Sequence, residues 1–260
     1  VREQIQEYIR EISDVATNRA GLQEMLSLID LTSLGEADTR DTIVDLCKKA
    51  VTPAGQVAAI CVYPQFVPDV KTLINSNAIK IATVVNFPTG QESIDAVVKT
   101  IKQALAAGAN EIDAVFPYER YLAGDKMGAQ DFIRQCRNAC GTDVTLKVIL
   151  ETGAIPELQM LSDASHDAIL AGADFLKTST GKVKIGATLE AAAVMLLAIK
   201  GLQPNVKRKL GFKASGGVRN IDQAAQYIQL AKQIMGPQWV SSETFRLGAS
   251  QLLDVLLQTL

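Results

Sequence analysis

Two lysines stand at the ends of runs that are otherwise apolar. Lys177 closes Ala173-Asp174-Phe175-Leu176-Lys177, ahead of Thr178-Ser179-Thr180-Gly181-Lys182. Lys213 sits in Leu210-Gly211-Phe212-Lys213-Ala214, ahead of Ser215-Gly216-Gly217-Val218-Arg219. An amine drawn into an apolar strand is desolvated, and desolvation disfavours its charged form. A neutral amine attacks carbonyls, so Lys177 is a candidate Schiff-base former; the plainer alternative is a stem that snorkels to water. Other apolar runs also carry polar residues late in their length. Asp30 and Thr32 lie in Leu28-Ile29-Asp30-Leu31-Thr32, Asp113 in Glu111-Ile112-Asp113-Ala114-Val115-Phe116, and Lys147, followed by Glu151, in Thr145-Leu146-Lys147-Val148-Ile149-Leu150. Alternate residues of a strand share a face, so Lys177, Lys213 and Asp113 can all point inward. Three lysines and two aspartates gathered there must compensate one another, because an unpaired buried charge is too costly. Such a set is either a structural ion network or a reactive amine whose pKa a neighbouring cation depresses.

Glycine-bearing turns follow these runs. They are Ser179-Thr180-Gly181-Lys182, Ser215-Gly216-Gly217-Val218-Arg219 and Leu247-Gly248-Ala249-Ser250. Glycine exposes backbone N–H groups to an anion, and a helix starting just beyond adds its positive end. One such turn is ordinary loop punctuation. Three that converge suit a phosphate, with Lys182 and Arg219 as its charge partners.

Composition narrows the chemistry further. The 260 residues hold a single histidine, His166, inside an amphipathic helical stretch, which excludes Ser-His triads and histidine-rich metal sites. The four cysteines, Cys47, Cys61, Cys136 and Cys140, form no paired CxxC elements and are expected as reduced thiols. A net charge of −2 with both signs interspersed offers no surface for nucleic acid. With no long apolar run and no leader pattern, the chain, which opens on Val1, is read as trimmed or processed, soluble and cytoplasmic.

The elements that must position these residues alternate. Strands are expected at Leu26–Leu31, Val57–Tyr63, Ile79–Asn86, Glu111–Phe116, Val144–Glu151, Ala173–Thr178, Lys209–Ala214 and Trp239–Arg246. Helices are expected at Thr39–Ala50, Gln65–Asn75, Ser93–Ala107, Ala129–Ala139, Glu157–Ala171, Leu189–Ile199, Ile221–Ile234 and Ala249–Leu257. Eight apolar strands, each followed by a helix, predict an α/β fold, a (β/α)8 TIM barrel forming one domain over 1–260. Residues 1–21 read as an extra N-terminal helix. A doubly wound open sheet is the alternative, but no GxGxxG follows the first strand. Barrel sites lie at the carboxyl ends of the strands, where the polar residues cluster.

Both lysine runs resemble the two lysine motifs of the 2-deoxyribose-5-phosphate aldolase family. Ile29-Asp30-Leu31-Thr32, Asn86-Phe87-Pro88-Thr89-Gly90, Glu111-Ile112-Asp113 with Phe116-Pro117-Tyr118, and Lys147-Val148-Ile149-Leu150-Glu151-Thr152 extend the likeness across nearly the whole barrel. The resemblance implies a metal-free, cofactor-free class I aldolase, a carbon–carbon lyase of deoxyribose catabolism. It would cleave 2-deoxy-D-ribose 5-phosphate reversibly to acetaldehyde and glyceraldehyde 3-phosphate. Lys177 would form the Schiff base, Lys213 would lower its pKa, and Asp113 would move protons with a water, with Lys147 in the same network. Asp30, Thr32, Cys61 and Thr180 would line or support the sugar site, although Cys61 also reads as a buried small side chain. Gly181, Lys182, Gly216, Gly217, Val218, Arg219, Gly248 and Ser250 would hold the phosphate.

Two departures qualify the likeness. Gln251 replaces a serine that many members place beside the phosphate. Some members also carry a polar tail whose terminal tyrosine assists proton transfer; this sequence ends at Leu260 without one, so either the tail was removed or the enzyme does without it, with slower proton exchange at the enamine carbon as the expectation. Partners are then small phosphosugars and aldehydes, with a homodimer among the open assemblies. The rival readings are another Schiff-base or transaldolase-like barrel and a non-catalytic sugar-phosphate binder.

Overall fold

The computed structural model describes residues 2–12 and 17–260. Eight parallel strands close into a barrel: β1 (Ile29–Thr32), β2 (Ala59–Val62), β3 (Lys80–Val85), β4 (Glu111–Val115), β5 (Thr145–Ile149), β6 (Phe175–Lys177), β7 (Gly211–Ser215) and β8 (Phe245–Ala249). Closure comes from β1, which pairs with β8 on one side and β2 on the other. The strands are buried on both faces, as expected where a helical ring covers the outside. Among the described residues, no helix is long and apolar enough to cross a membrane.

The helices are α1 (Arg2–Arg10), α2 (Arg19–Ser27), α3 (Arg40–Lys49), α4 (Val67–Leu73), α5 (Ile94–Ala106), α6 (Tyr118–Leu122), α7 (Lys126–Cys140), α8 (Leu158–Ala171), α9 (Leu189–Leu202), α10 (Ile221–Met235) and α11 (Leu252–Thr259). Their starts follow capping chemistry: side chains of Ser93, Thr188 and Asn220 accept N–H bonds at the heads of α5, α9 and α10. Gly172 ends α8 with φ 123°, as the Ala-Gly-Ala punctuation predicts.

The expected N-terminal helix is present as α1, with α2 after it, and of the extension's positions 1 and 13–16 lie outside the described residues. Three boundaries are corrected. Asn18 caps α2, and Leu22, Met25 and Leu26 form its buried face at helical spacing, so Leu26 belongs to a helix and β1 begins at Ile29. The last strand also starts later than Trp239. Pro237–Trp239 is a 3-10 turn, and the Ser241 hydroxyl and carbonyl accept N–H bonds from Glu243 and Phe245, which competes with extension. Arg246 and Gly248 therefore lie inside β8. Finally, α7 begins at Lys126 because Asp125 caps it, and the short α6 and a hairpin of Val51–Thr52 with Gly55–Gln56 went unread.

Inside the barrel, register sets what can touch. Asp113 pairs with Lys147, Lys147 with Phe175, and Lys177 with Lys213, which pairs in turn with Arg246. Beneath Lys177, Phe175 is registered with Gly211, and its ring fills the space a side chain there would need: a Cβ on Gly211 would lie 2.4 Å from Phe175 Cζ. Overpacking of this kind costs about 1–3 kcal/mol. Gly211→Ala should accordingly lower the urea midpoint, and Phe175→Leu added to it should recover part of the loss. An unchanged midpoint in Gly211→Ala would show that the ring has room to move.

Candidate active site

At the barrel centre, four cations meet three carboxylates. The Lys147 ammonium donates to Glu111 Oε2 at 2.5 Å and to Asp113 Oδ1 at 2.8 Å. Lys213 donates to Asp30 Oδ2 at 2.6 Å and Asp113 Oδ2 at 2.9 Å. Arg246 spans Asp30 Oδ1 at 2.6 Å and Glu111 Oε1 at 2.8 Å. Lys177 has one carboxylate contact, Asp113 Oδ2 at 2.8 Å, and shares that oxygen with Lys213. All seven side chains are at most 5% exposed, so water screens none of them well.

The imbalance decides which group gives up its charge. Lys213 and Arg246 each touch two carboxylates, and Lys147 touches two with Asp30 a third at 3.9 Å, whereas Lys177 touches half of one already shared. Burial pushes the Lys177 amine down; Asp113 opposes that and Lys213 reinforces it, leaving a net lowering. Burial would lower Lys213 too, but Asp113 and Asp30 together hold it above the ordinary lysine range. For Lys147 the same burial is outweighed by Asp113, Glu111 and Asp30. Burial would raise Asp113, yet Lys147, Lys177 and Lys213 hold it well below the usual carboxylate range. Asp30 is likewise depressed, Lys213 and Arg246 overcoming its burial. The site thus holds one amine biased toward neutrality beside Lys147, Lys213, Asp30 and Asp113, whose neighbours hold them in their charged forms.

Above Lys177 opens a cleft of about 510 Å³, within the roughly 300–1,000 Å³ of small-molecule pockets. Lys177, Thr32 and Thr180 line it, as do Gly181, Gly216, Gly217, Val218, Gly248 and Ser250. Gly216 and Gly217 adopt φ of 85° and 93°, a left-handed path that glycine takes without strain. The first turn of α11 opens at Gln251, which lines the same cleft and makes no side-chain capping bond. Backbone N–H groups at such turns are the donors an anion takes. Arg219 is exposed at the rim. The Lys182 ammonium instead donates to Leu34 O at 2.6 Å, tying its turn to the loop after β1.

Several sequence-named residues sit behind the cleft rather than in its wall. Asp30, Asp113, Lys147 and Lys213 are fully buried. Both Asp30 oxygens are taken by Lys213 and Arg246, so it supports the network. Cys61 is buried against Ala82 and Val84, and burial pushes its thiol up, in keeping with the small-side-chain reading. Arg246 was not anticipated, because the last strand was read as ending there. Glu111, two residues before Asp113 and so on the same strand face, joins the network through Lys147 and Arg246. Among the described residues, no group of three or more His, Cys, Asp or Glu is placed to hold a metal ion.

Comparison with known proteins agrees with this architecture. The model of the DeoC/LacD family aldolases matches residues 24–256. A Coccidioides immitis structure assigned as a deoxyribose-phosphate aldolase is 26% identical, with a TM-score of 0.79 over 99% of this chain and 96% of its own. A Toxoplasma gondii structure assigned likewise is 25% identical, with a TM-score of 0.84 over 92% and 96%. The tetrameric deoxyribose phosphate aldolase of Aeropyrum pernix, at 23% identity, shares the fold with a TM-score of 0.76 over 100% and 97%.

Unequal compensation predicts unequal mutational effects. Lys147→Met takes one partner each from Glu111, left to Arg246, and Asp113, left to Lys177 and Lys213, and should lower stability in urea unfolding by up to about 3 kcal/mol. Lys177→Met removes the least compensated cation and should leave stability unchanged or raised. Equal losses in the two variants would contradict the charge imbalance.

Proposed function

The chain belongs to the DeoC/LacD family of aldolases, and from that premise we propose that it cleaves 2-deoxy-D-ribose 5-phosphate reversibly to acetaldehyde and glyceraldehyde 3-phosphate through a Schiff base on Lys177. One observation carries the reading: the single under-compensated amine of a buried network opens into a cleft walled by glycine turns suited to an anion. The assigned activity of the 26%-identical relative supports the substrate class.

In this mechanism neutral Lys177 adds to the substrate carbonyl, and loss of water from the carbinolamine yields an iminium. That cation withdraws the electron pair of the breaking carbon–carbon bond, so cleavage releases a neutral enamine instead of a carbanion. Protonation at carbon and hydrolysis then free acetaldehyde and Lys177. Asp113, kept ionised by its lysines, offsets positive charge at the iminium and orients the water that carries protons at the carbinolamine. Lys213 and Lys147 hold that carboxylate, and Lys213 keeps Lys177 deprotonated. Gly181, Gly216, Gly217, Val218, Gly248 and Ser250 hold the phosphate with Arg219 and Lys182 nearby, while Thr32 and Thr180 meet the sugar.

Borohydride reduction in the presence of acetaldehyde should leave a two-carbon adduct on Lys177, and none on Lys177→Met. Absence of any adduct in the unaltered enzyme under turnover conditions would overturn the reading. The neutral fraction of Lys177 grows with pH, so kcat/KM should rise through the lowered Lys177 pKa. Lys213→Met removes a neighbouring cation and leaves Asp113 Oδ2 to Lys177 alone. Both changes raise the Lys177 pKa, and the limb should move to higher pH; an unmoved limb would contradict the role given to Lys213.

A further inference from the structure

Glu151, just past β5, belongs to neither the ion network nor the cleft wall, yet it is fully buried and meets the cleft through a single side chain. Its Oε2 accepts the Thr180 hydroxyl at 2.5 Å, and its Oε1 accepts the Thr180 N–H at 3.3 Å. The residue adopts φ 53°, a left-handed conformation unusual for glutamate, and this backbone turn is followed by Thr152, whose N–H donates to Thr178 O at 2.9 Å.

An inventory of Thr180 Oγ1 shows what this leaves for a ligand. A hydroxyl has one proton to give and two lone pairs to accept with. The proton goes to Glu151, and one lone pair takes the Lys182 N–H at 3.0 Å. Thr180 lines the cleft beside Lys177, and what remains is one lone pair. It can accept from a substrate O–H; it cannot donate. A carbon–carbon cleavage through an iminium needs such an acceptor, because the hydroxyl on the carbon that becomes the new aldehyde must lose its proton.

We propose that Thr180 and Glu151 form the relay that removes this proton, with Thr180 touching the substrate and Glu151 acting through it; the inference rests on the aldolase reading above. As the substrate O–H proton passes to Thr180 Oγ1, the proton of Thr180 passes to Glu151 Oε2. The oxygen electron pair forms the new C=O, the carbon–carbon bond breaks, and its pair flows into the iminium to give the enamine. The proton later shed by Glu151 balances the one taken up at the enamine carbon. In the synthetic direction every transfer reverses. The groups facing Glu151 favour this function: burial raises its carboxyl, the two Thr180 bonds and Lys177 on β6 pull it down, and the net direction is up. Tyr118 on α6 is itself pushed up, by burial and then by Glu151, and so remains a neutral phenol beside it.

Glu151→Gln keeps an oxygen for Thr180 but takes no proton. Its kcat for cleavage should fall on the order of 10²–10⁴-fold, KM should change little, and the acidic limb of the kcat profile should vanish. Borohydride trapping of acetaldehyde on Lys177 should persist in the same variant. Thr180→Val should lose cleavage similarly, and Thr180→Ser should recover at least tenfold over it. This pair decides the matter if Glu151→Gln fails to fold. Cleavage by Glu151→Gln within threefold of the unaltered enzyme would sink the relay, as would loss of trapping together with cleavage in a folded variant. No adduct on the unaltered enzyme sinks the aldolase reading and the relay with it, whereas an adduct with unimpaired Glu151→Gln cleavage sinks the relay alone.

Discussion

A closed barrel interior excludes water, and into it this chain places one more positive side chain than negative. Everything at the site follows from that surplus. Were Asp30, Glu111 and Asp113 matched by three cations, every charge would be locked and the cluster would only hold strands together. The fourth cation cannot be compensated locally. In a medium that penalises net charge, its proton is the cheapest thing to lose. The geometry says which cation yields: Lys177 alone has a single, shared carboxylate oxygen. The reactivity proposed for Lys177 would then be a consequence of unequal charge compensation in a dry place.

Parallel pairing is what makes the surplus possible. Neighbouring strands in register point the same positions inward, so Lys177 and Lys213 are forced side by side although like charges repel. Arg246 joins as the partner of Lys213 on the next strand, and Asp113 faces Lys147 two strands away from Lys177. Such repulsion is tolerated only because Asp113 bridges three ammonium groups with its two oxygens. Closure between β1 and β8 then brings Asp30 to Lys213 and Arg246, residues more than 180 positions away in sequence.

How much of this was legible from residues alone depended on how local the signal was. Strand parity and apolar runs are local: parity turned Lys177, Lys213 and Asp113 inward, and Lys147 stood out as a charge late in an apolar run. Helix caps and the Gly172 stop are local as well. Arg246 escaped because the hydroxyl-rich turn at Ser241–Thr244 outcompetes extension there, and a strand shifted by several residues turns its arginine from a strand end into a strand interior. Leu26 misled for a related reason: a short apolar run suits either period, and only the Asn18 cap and the packing of Leu22 and Met25 select the helix. The pairing of Glu151 with Thr180 depends on one residue of left-handed backbone between strand and turn, which no periodicity announces.

Binding and chemistry share the same scaffold because the turns after β6 and β7 are sewn together. The Thr178 hydroxyl donates to Ser215 O at 2.8 Å and accepts the Ser215 N–H at 2.9 Å, while the Ser215 hydroxyl donates to Ser179 O at 2.6 Å. These bonds lie between the two lysines below and the glycine turns above, so they set both the amine and the anion cradle in one frame. In the function proposed above, a substrate gripped by its phosphate at the rim would thereby be presented to Lys177 at a fixed depth. Orientation of this kind removes much of the entropic barrier to forming a covalent adduct, since the reacting carbon arrives already placed. It also explains why the polar turn residues are buried and multiply bonded rather than mobile. On the proposed reading, a loop that only bound phosphate could move, whereas one that also sets the reach of a nucleophile could not.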